Sequence, residues 1–276
     1  MSIEQSECLV RFARCCADGW DQGWHERNGG NLSYRMAPAD VRACEGFFDA
    51  PGQWVDLGLS CPDLGGEHFV CTAAGAFLHN VACDLPGSVG IVQLDDAGAA
   101  WRGVWGFAGG ARPTSELASH ILCHDACARR SGGAARVIYH AHPADVVAMS
   151  HLVAPEPREL TRALWRSMTE CIMVFPQGVG AVPWTVPGSA ELARATAQAM
   201  ERFDAVVWAC HGLIASGAGF DEAFGLVHAV EKAAHIYLAA RAAAGGSCAF
   251  LDAVSDQDLR DICRALGLAP NEDFLD

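Results

Sequence analysis

The chain has 276 residues, 51% of them hydrophobic, which suits one large domain with a sizeable core and excludes a disordered or low-complexity protein. Its 33 acids against 19 bases give a net charge of −14, which argues against nucleic acid or an anionic membrane surface as partners. No apolar run approaches the roughly 20 residues that span a bilayer, and the acidic start Met1-Ser2-Ile3-Glu4 lacks the basic lead of a signal peptide, so a cytoplasmic protein with 13 reduced cysteines is expected.

Residues 3–24 read as an amphipathic helix, with Val10, Phe12 and Ala13 set among Glu7, Arg11 and Arg14. Asn28-Gly29-Gly30-Asn31 follows. This is a turn whose backbone can approach a ligand closely, and its N–H groups and two amides are suited to an anion. An ordinary hairpin turn has the same composition. Residues 36–66 are rich in Pro, Gly and Asp and read as a long surface excursion. Strands are expected over 68–72, 90–95 and 101–107, the last two as a hairpin around Asp95-Asp96-Ala97-Gly98. Pro113-Thr114-Ser115-Glu116-Leu117 opens a helix. Thr114 or Ser115 is expected to cap it, with Glu116 favouring the dipole from its first turn. His120 and His124 lie one turn apart, with Glu116 one turn before them, which makes a weaker metal face. Cys123 and Cys127, flanking His124, make a weaker one still.

Val137-Ile138-Tyr139 is a short β-prone run. His140 and His142 come next, two apart, so both rings leave the same face of the strand. Pro143 has no N–H for a ladder bond and ends the pairing. In a chain with 11 histidines such a pair is weak evidence by itself. Residues 145–152 read as helical, 161–170 as a short helix or turn segment, Cys171 to Phe175 as a buried strand, and 179–184 as another. Ser189 is placed to cap a helix over 190–203. Ala205 to Cys210 is an apolar strand ending in His211, which repeats the earlier pattern. Phe224, Val227, Val230, Ala234 and Leu238 mark one face of a long helix ending near Gly245-Gly246. Ser255 and Asp258 form a capping box for a last helix closed by Gly267. The chain reads as a single domain over 1–276, with 245–276 as a C-terminal helical extension.

Three neutral imidazoles, from His140, His142 and His211, leave one position on a zinc ion open for an oxygen ligand. Glu116 offers a carboxylate, and the loops at 28–31 and 114–115 offer anion donors. The pattern is that of a zinc enzyme acting on an oxyanion substrate, and it does not name the reaction.

The order of Trp24-His25-Glu26-Arg27-Asn28-Gly29-Gly30-Asn31-Leu32, Pro113-Thr114-Ser115-Glu116-Leu117, His140-Ala141-His142, Thr169-Glu170-Cys171, Val174-Phe175-Pro176-Gln177-Gly178-Val179-Gly180 and His211-Gly212 resembles the class II sugar-phosphate aldolases. The resemblance covers about residues 8–245. It implies a single α/β domain with a central, mainly antiparallel sheet flanked by helices, assembled as a homotetramer with active sites near subunit interfaces. It implies one Zn²⁺ per subunit on His140, His142 and His211. The implied reaction is reversible retro-aldol cleavage of L-rhamnulose 1-phosphate to dihydroxyacetone phosphate and L-lactaldehyde. Glu116 matches the family's acid/base, and Glu170 matches a second acid that reaches the neighbouring subunit's site. Asn28, Asn31 and Ser115 match phosphate-loop positions, Gly29 and Gly30 allow close backbone approach, and Thr114 is a further candidate. The same superfamily holds aldolases and 4-epimerases for other ketose phosphates, and the non-enzymatic adducin head; these are the alternatives. One departure stands out. Family members carry a phosphate-binding serine in the turn after the strand ending in Thr72, where this chain has Ala73-Ala74-Gly75-Ala76. One lost charge-assisted bond is worth about 1.5–3 kcal/mol. Weaker phosphate binding, a displaced register or an unphosphorylated substrate each fits that change.

Overall fold

The computed structural model describes residues 2–247 and 253–276, so residues 248–252 of the expected C-terminal extension lie outside the described residues. In chain order the elements begin α1 (Glu7–Asp21), β1 (Asn31–Arg35), α2 (Pro38–Cys44), β2 (Val55–Asp56) and β3 (His68–Thr72). The middle of the chain holds α3 (Leu85–Ser88), β4 (Val89–Leu94), β5 (Ala100–Gly106), α4 (Leu117–Ser131), β6 (Val137–Ala141) and α5 (Ala144–Met149). Then come α6 (Pro157–Trp165), α7 (Glu170–Val174), β7 (Gly180–Val182), α8 (Ala190–Met200), β8 (Ala205–Trp208), β9 (Gly212–Gly217), α9 (Phe220–Ala243) and α10 (Asp256–Leu266). The nine strands form one sheet in the order β2-β5-β4-β3-β1-β6-β9-β8-β7. Every pairing is antiparallel except β7 with β8. This is the mainly antiparallel, helix-flanked α/β sheet that the resemblance implied.

The alternation of side chains along a strand decides which helix covers which face. On β1, Ser33 turns its hydroxyl to His120 and His124 of α4, while Tyr34 packs its ring, tilted, 5.2 Å from that of Phe220 of α9. Thus α4 and α9 cover opposite faces. β3 shows the same split. Val70 joins the cluster containing α1 and α9 residues, and Phe69 and Cys71 pack with Leu117 and Ile121 of α4. Tyr139 of β6 lies under α9, with its ring 6.4 Å from Phe224. His140, one residue on, therefore faces the α4 side. The 12 described cysteines are all free, and most are buried.

Several expectations shift. The first helix is interrupted at Ser6, whose extended ψ of 141° separates a short turn from α1. The excursion over 36–66 contains α2, begun by Pro38 at a position where the missing N–H costs nothing, and the short strand β2. The short helix or turn read at 161–170 is a helix that runs over Pro157–Trp165. Of Cys171 to Phe175, read as a strand, all but Phe175 lie in the helix α7. A short apolar run has no period to distinguish the two, and here Cys171 and Ile172 are buried while Val174 is 47% exposed. Strand β9 was not anticipated at all. Ser189 accepts from the Leu192 N–H, and Ser255 with Asp258 closes a capping box, both as expected.

Candidate active site

The site lies at one end of the central strands. Antiparallel pairing places Asn31, the first residue of β1, opposite His140, near the end of β6. On the other side of β6, Ala141 pairs with Leu213, which brings the β8–β9 turn carrying His211 beside His142. A bridge between Ala73 and Pro113 then sets the 73–76 turn against the entrance to α4. Residues from all these segments line one cavity of about 160 Å³: Asn28, Gly30, Asn31, Ala73, Ala74, Gly75, Thr114, Ser115 and Glu116, with the three histidines.

The ligand nitrogens of His140, His142 and His211 lie within 4.8 Å of one another, the one such group of three metal-binding side chains among the described residues. His140 Nδ1 faces the Leu213 carbonyl at 3.1 Å, which accepts only, so Nδ1 carries the proton and Nε2 is bare. His142 Nδ1 donates to Glu26 Oε1 at 2.7 Å, so its Nε2 is bare too. The two bare nitrogens face each other at 3.2 Å. Two lone pairs at that distance repel unless a cation lies between them. Nitrogens bound to one tetrahedral zinc at roughly 2.0–2.1 Å lie about 3.3 Å apart, so the spacing fits such an ion. His211 adds a buried Nδ1 with no hydrogen-bond partner, and its ring sits 5.0 Å from those of both other histidines. Burial, with neighbouring His142 and His211, pushes His140 well below the ordinary histidine range. Burial and His142 push His211 down to about 4. His140 and His211 are thereby kept neutral, as metal ligands must be.

Glu116 Oε2 lies 4.0 Å from His140 Nε2, close enough to act on whatever the histidines hold. Glu116 is 7% exposed. Burial raises its pKa, while the Asn31 amide, donating at 2.7 Å, and nearby His142 pull it down; the net is a rise. A carboxylic acid shifted upward from the usual range is suited to proton transfer near neutral pH. Glu116 is itself the N-cap residue of α4, not a first-turn residue, and no side chain caps that helix. Thr114, expected as a cap, instead accepts from the Glu116 N–H through Oγ1 at 3.3 Å. Ser115 and Asn28 are exposed to the cavity, and Asn31 is buried with both ends of its amide bonded, to Glu116 and His120. His120 and His124 are turned to side chains instead: Asn31 and Ser33 occupy both nitrogens of His120, and Ser33 occupies Nε2 of His124. Glu170 is exposed at the start of α7 and is not part of the cavity lining.

Three supporting groups were not legible beforehand. Glu26 orients His142. His25 donates from Nδ1 to the Gly29 carbonyl at 3.1 Å and accepts the Tyr139 hydroxyl at 2.6 Å, which fixes the glycine turn from below. At Gly30, with φ +74°, a Cβ would collide with the His25 ring and the His140 carbonyl, so only glycine serves. The one available signal was the adjacency of His25 and Glu26 to that turn. Replacing Glu26 by Gln keeps the shape but weakens the acceptor for His142 Nδ1. Such supporting contacts are worth about 10–100-fold in metal affinity. With the Glu26 side chain 67% exposed, roughly tenfold is expected. A competition titration with a chromogenic chelator measures it, and unchanged affinity would remove Glu26 from the site.

Comparison with known proteins agrees with this geometry. The class II aldolase and adducin N-terminal domain matches residues 10–238. A rhamnulose-1-phosphate aldolase of Shigella sonnei (strain Ss046) is 36% identical over 269 residues, covering 98% of this chain and 97% of that protein. One from Escherichia fergusonii is 39% identical over 235 residues, covering 85% and 86%. Among solved structures, a sugar-phosphate aldolase from Thermotoga maritima superposes with a TM-score of 0.71 at 27% identity, covering 86% of this chain and 96% of that one. With the domain match spanning most of its length and relatives aligned almost end to end, this chain belongs to the class II aldolase and adducin family.

Proposed function

We propose that this protein is a zinc-dependent aldolase that cleaves L-rhamnulose 1-phosphate to dihydroxyacetone phosphate and L-lactaldehyde, reversibly. The observation that carries this reading is the near end-to-end identity of 36% with proteins of that activity. The three-histidine cluster beside a buried carboxylate supports it. In the cleavage direction the bond between carbons 3 and 4 breaks. The carbon-4 hydroxyl gives its proton to a base on the aldehyde side, the role of Glu170 from an adjoining subunit, and becomes the aldehyde, while the electron pair of the broken bond stays on the phosphate-bearing fragment as an enediolate. His140, His142 and His211 would hold a zinc ion, which when bound would supply the Lewis acidity to stabilise this charge. Glu116 delivers the proton to carbon 3 that completes dihydroxyacetone phosphate, and removes it in the reverse direction. Asn28, Gly29, Gly30, Thr114 and Ser115 form the phosphate cradle, at the N-terminal end of α4, whose dipole favours an anion. Asn31 lines the same cradle and ties it to Glu116. Glu170 serves an adjoining subunit's site on the aldehyde side, within a homotetramer.

Among the described residues no helix is long and apolar enough to cross a membrane. The test of the reaction is cleavage of L-rhamnulose 1-phosphate, with dihydroxyacetone phosphate detected through a coupled reductase, before and after chelation. Activity that vanishes with chelation and returns with zinc is the expected result. No cleavage by zinc-loaded protein would transfer the chemistry to another ketose phosphate.

The 73–76 turn gives a quantitative check. Ala74 is exposed and lines the cavity, and no side chain of the turn offers a hydroxyl. Ala74→Ser restores a donor to the phosphate. A gain of about 1.5 kcal/mol lowers KM roughly tenfold, with kcat little changed. An unaltered or raised KM would mean that the phosphate does not approach this turn.

A further inference from the structure

Four polar side chains run in a line from Glu116 into the core, and the proton transfer just described uses none beyond the first. Asn31 is 7% exposed, and Ser33, His120 and His124 are fully buried. Burying such a series is costly unless every member is satisfied. The direction of each bond can be worked out from the carboxylate end. Asn31 turns its Nδ2 to Glu116 Oε2 at 2.7 Å. Its Oδ1 is therefore the atom that meets His120 Nε2, and that nitrogen must carry the proton. A neutral imidazole has one N–H. His120 Nδ1 is thus bare and takes the Ser33 hydroxyl proton at 2.6 Å. The Ser33 oxygen in turn accepts from His124 Nε2 at 2.8 Å. His124 Nδ1 ends the series, buried and without a partner, 5.2 Å ring to ring from Phe69.

The far end confirms the direction independently. If every bond were reversed, Asn31 Oδ1 would oppose the Glu116 carboxylate, and His124 Nδ1–H would be a buried donor with no acceptor. An orphaned buried N–H is rarer and costlier than an unshared lone pair. Both ends therefore select the same arrangement. Each member has only one orientation consistent with its neighbours, so the series holds the Asn31 amide nitrogen toward the carboxylate.

We propose that Ser33, His120 and His124 form a buried relay that locks the Asn31 amide against Glu116, making Ser33 and His120 positioning residues for proton transfer. The relay acts on the carboxylate through Asn31 and touches no substrate. Cutting it at Ser33 frees His120 to take the other tautomer, which lets the Asn31 amide turn over and present oxygen to Glu116. The reactive oxygen then loses its anchor while the histidine cluster and the phosphate cradle stay as they are. The kinetic side of this proposal rests on the aldolase reading; the tautomer side does not.

The test has two arms on the zinc-loaded full-length protein. Nitrogen-15 spectra of histidine-labelled wild type should show His120 and His124 both neutral, with the proton on Nε2. In Ser33→Ala the His120 signal should shift toward the Nδ1–H form. An Nδ1 proton on His120 in the wild type overturns the relay. In steady-state assays Ser33→Ala and His120→Phe should lower kcat about tenfold, with KM within twofold and zinc content equal to wild type. Ser33→Ala removes a single oxygen, which keeps the test open if His120→Phe does not fold. Unchanged kcat in folded Ser33→Ala, or a loss of kcat matched by loss of zinc, overturns the positioning role. Wild type with no aldolase activity would count against the aldolase reading alone, and the spectra would still decide the relay.

Discussion

Glu116→Ala lowers kcat for cleavage by about two to four orders of magnitude while the protein keeps its metal, the range expected when a positioned acid/base is removed. The three histidines owe their geometry to other groups. His140 is held by the Leu213 carbonyl, His142 by Glu26, and His211 by the tight turn at the start of β9. Removing Glu116 leaves each of these contacts in place. The lost function is local, because among the described residues Glu116 is the one carboxylate lining the cavity. Glu116→Gln sharpens the test. The amide keeps an oxygen for the Asn31 N–H and preserves the packing, yet takes up no proton. The role itself is read from the half-reaction. Wild type should exchange a hydrogen of dihydroxyacetone phosphate with deuterated solvent in the absence of aldehyde, and both variants should lose exchange in proportion to cleavage. Exchange that persists while cleavage falls would move Glu116 to another step, and full turnover in Glu116→Gln would remove it from the mechanism.

The three-histidine cluster was legible because it depends on local geometry alone. His140 and His142 follow from strand parity and from Pro143 ending the pairing, and His211 from a second apolar strand that stops at a histidine. What the sequence did not show depends on which strands lie side by side. Ser33 becomes a neighbour of His120 and His124 only because β1 is covered by α4, and Asn31 meets His140 through pairing across more than a hundred residues. Seen alone, His120 and His124 one turn apart looked like a metal face; in the structure a serine from another strand claims both. The capping of α4 failed for a related reason. Thr114 and Ser115 have the chemistry of caps, but the bridge between Ala73 and Pro113 is followed by a turn at 115–116, and the helix begins only at Leu117. In α7, the run Cys171-Ile172-Met173-Val174-Phe175 is too short for period to speak, and its packing against other helices decides.

His142→Ala abolishes metal binding and cleavage together, to below about a thousandth of wild-type turnover, and chelated wild type should match it. His142 lies just past the end of β6 and is partly exposed, so its removal opens no core cavity and the fold should persist. Two ligands remain, but a zinc site with two protein nitrogens falls short of the three that catalytic zinc sites use. The repulsion between the bare Nε2 atoms of His140 and His142 also disappears with the ring. The metal-free variant should therefore be no less stable than chelated wild type, although it cannot bind the ion. Thermal unfolding separates these effects. Zinc at 100 times its Kd stabilises wild type by about 2.7 kcal/mol, roughly 5–10 °C for a chain of this size. The same addition should leave His142→Ala where it was. If zinc still raised the melting point of the variant and restored cleavage, the ion would be held without His142. If zinc raised neither property in wild type, the cluster would not be a metal site, and Glu116 would have no Lewis acid to work beside.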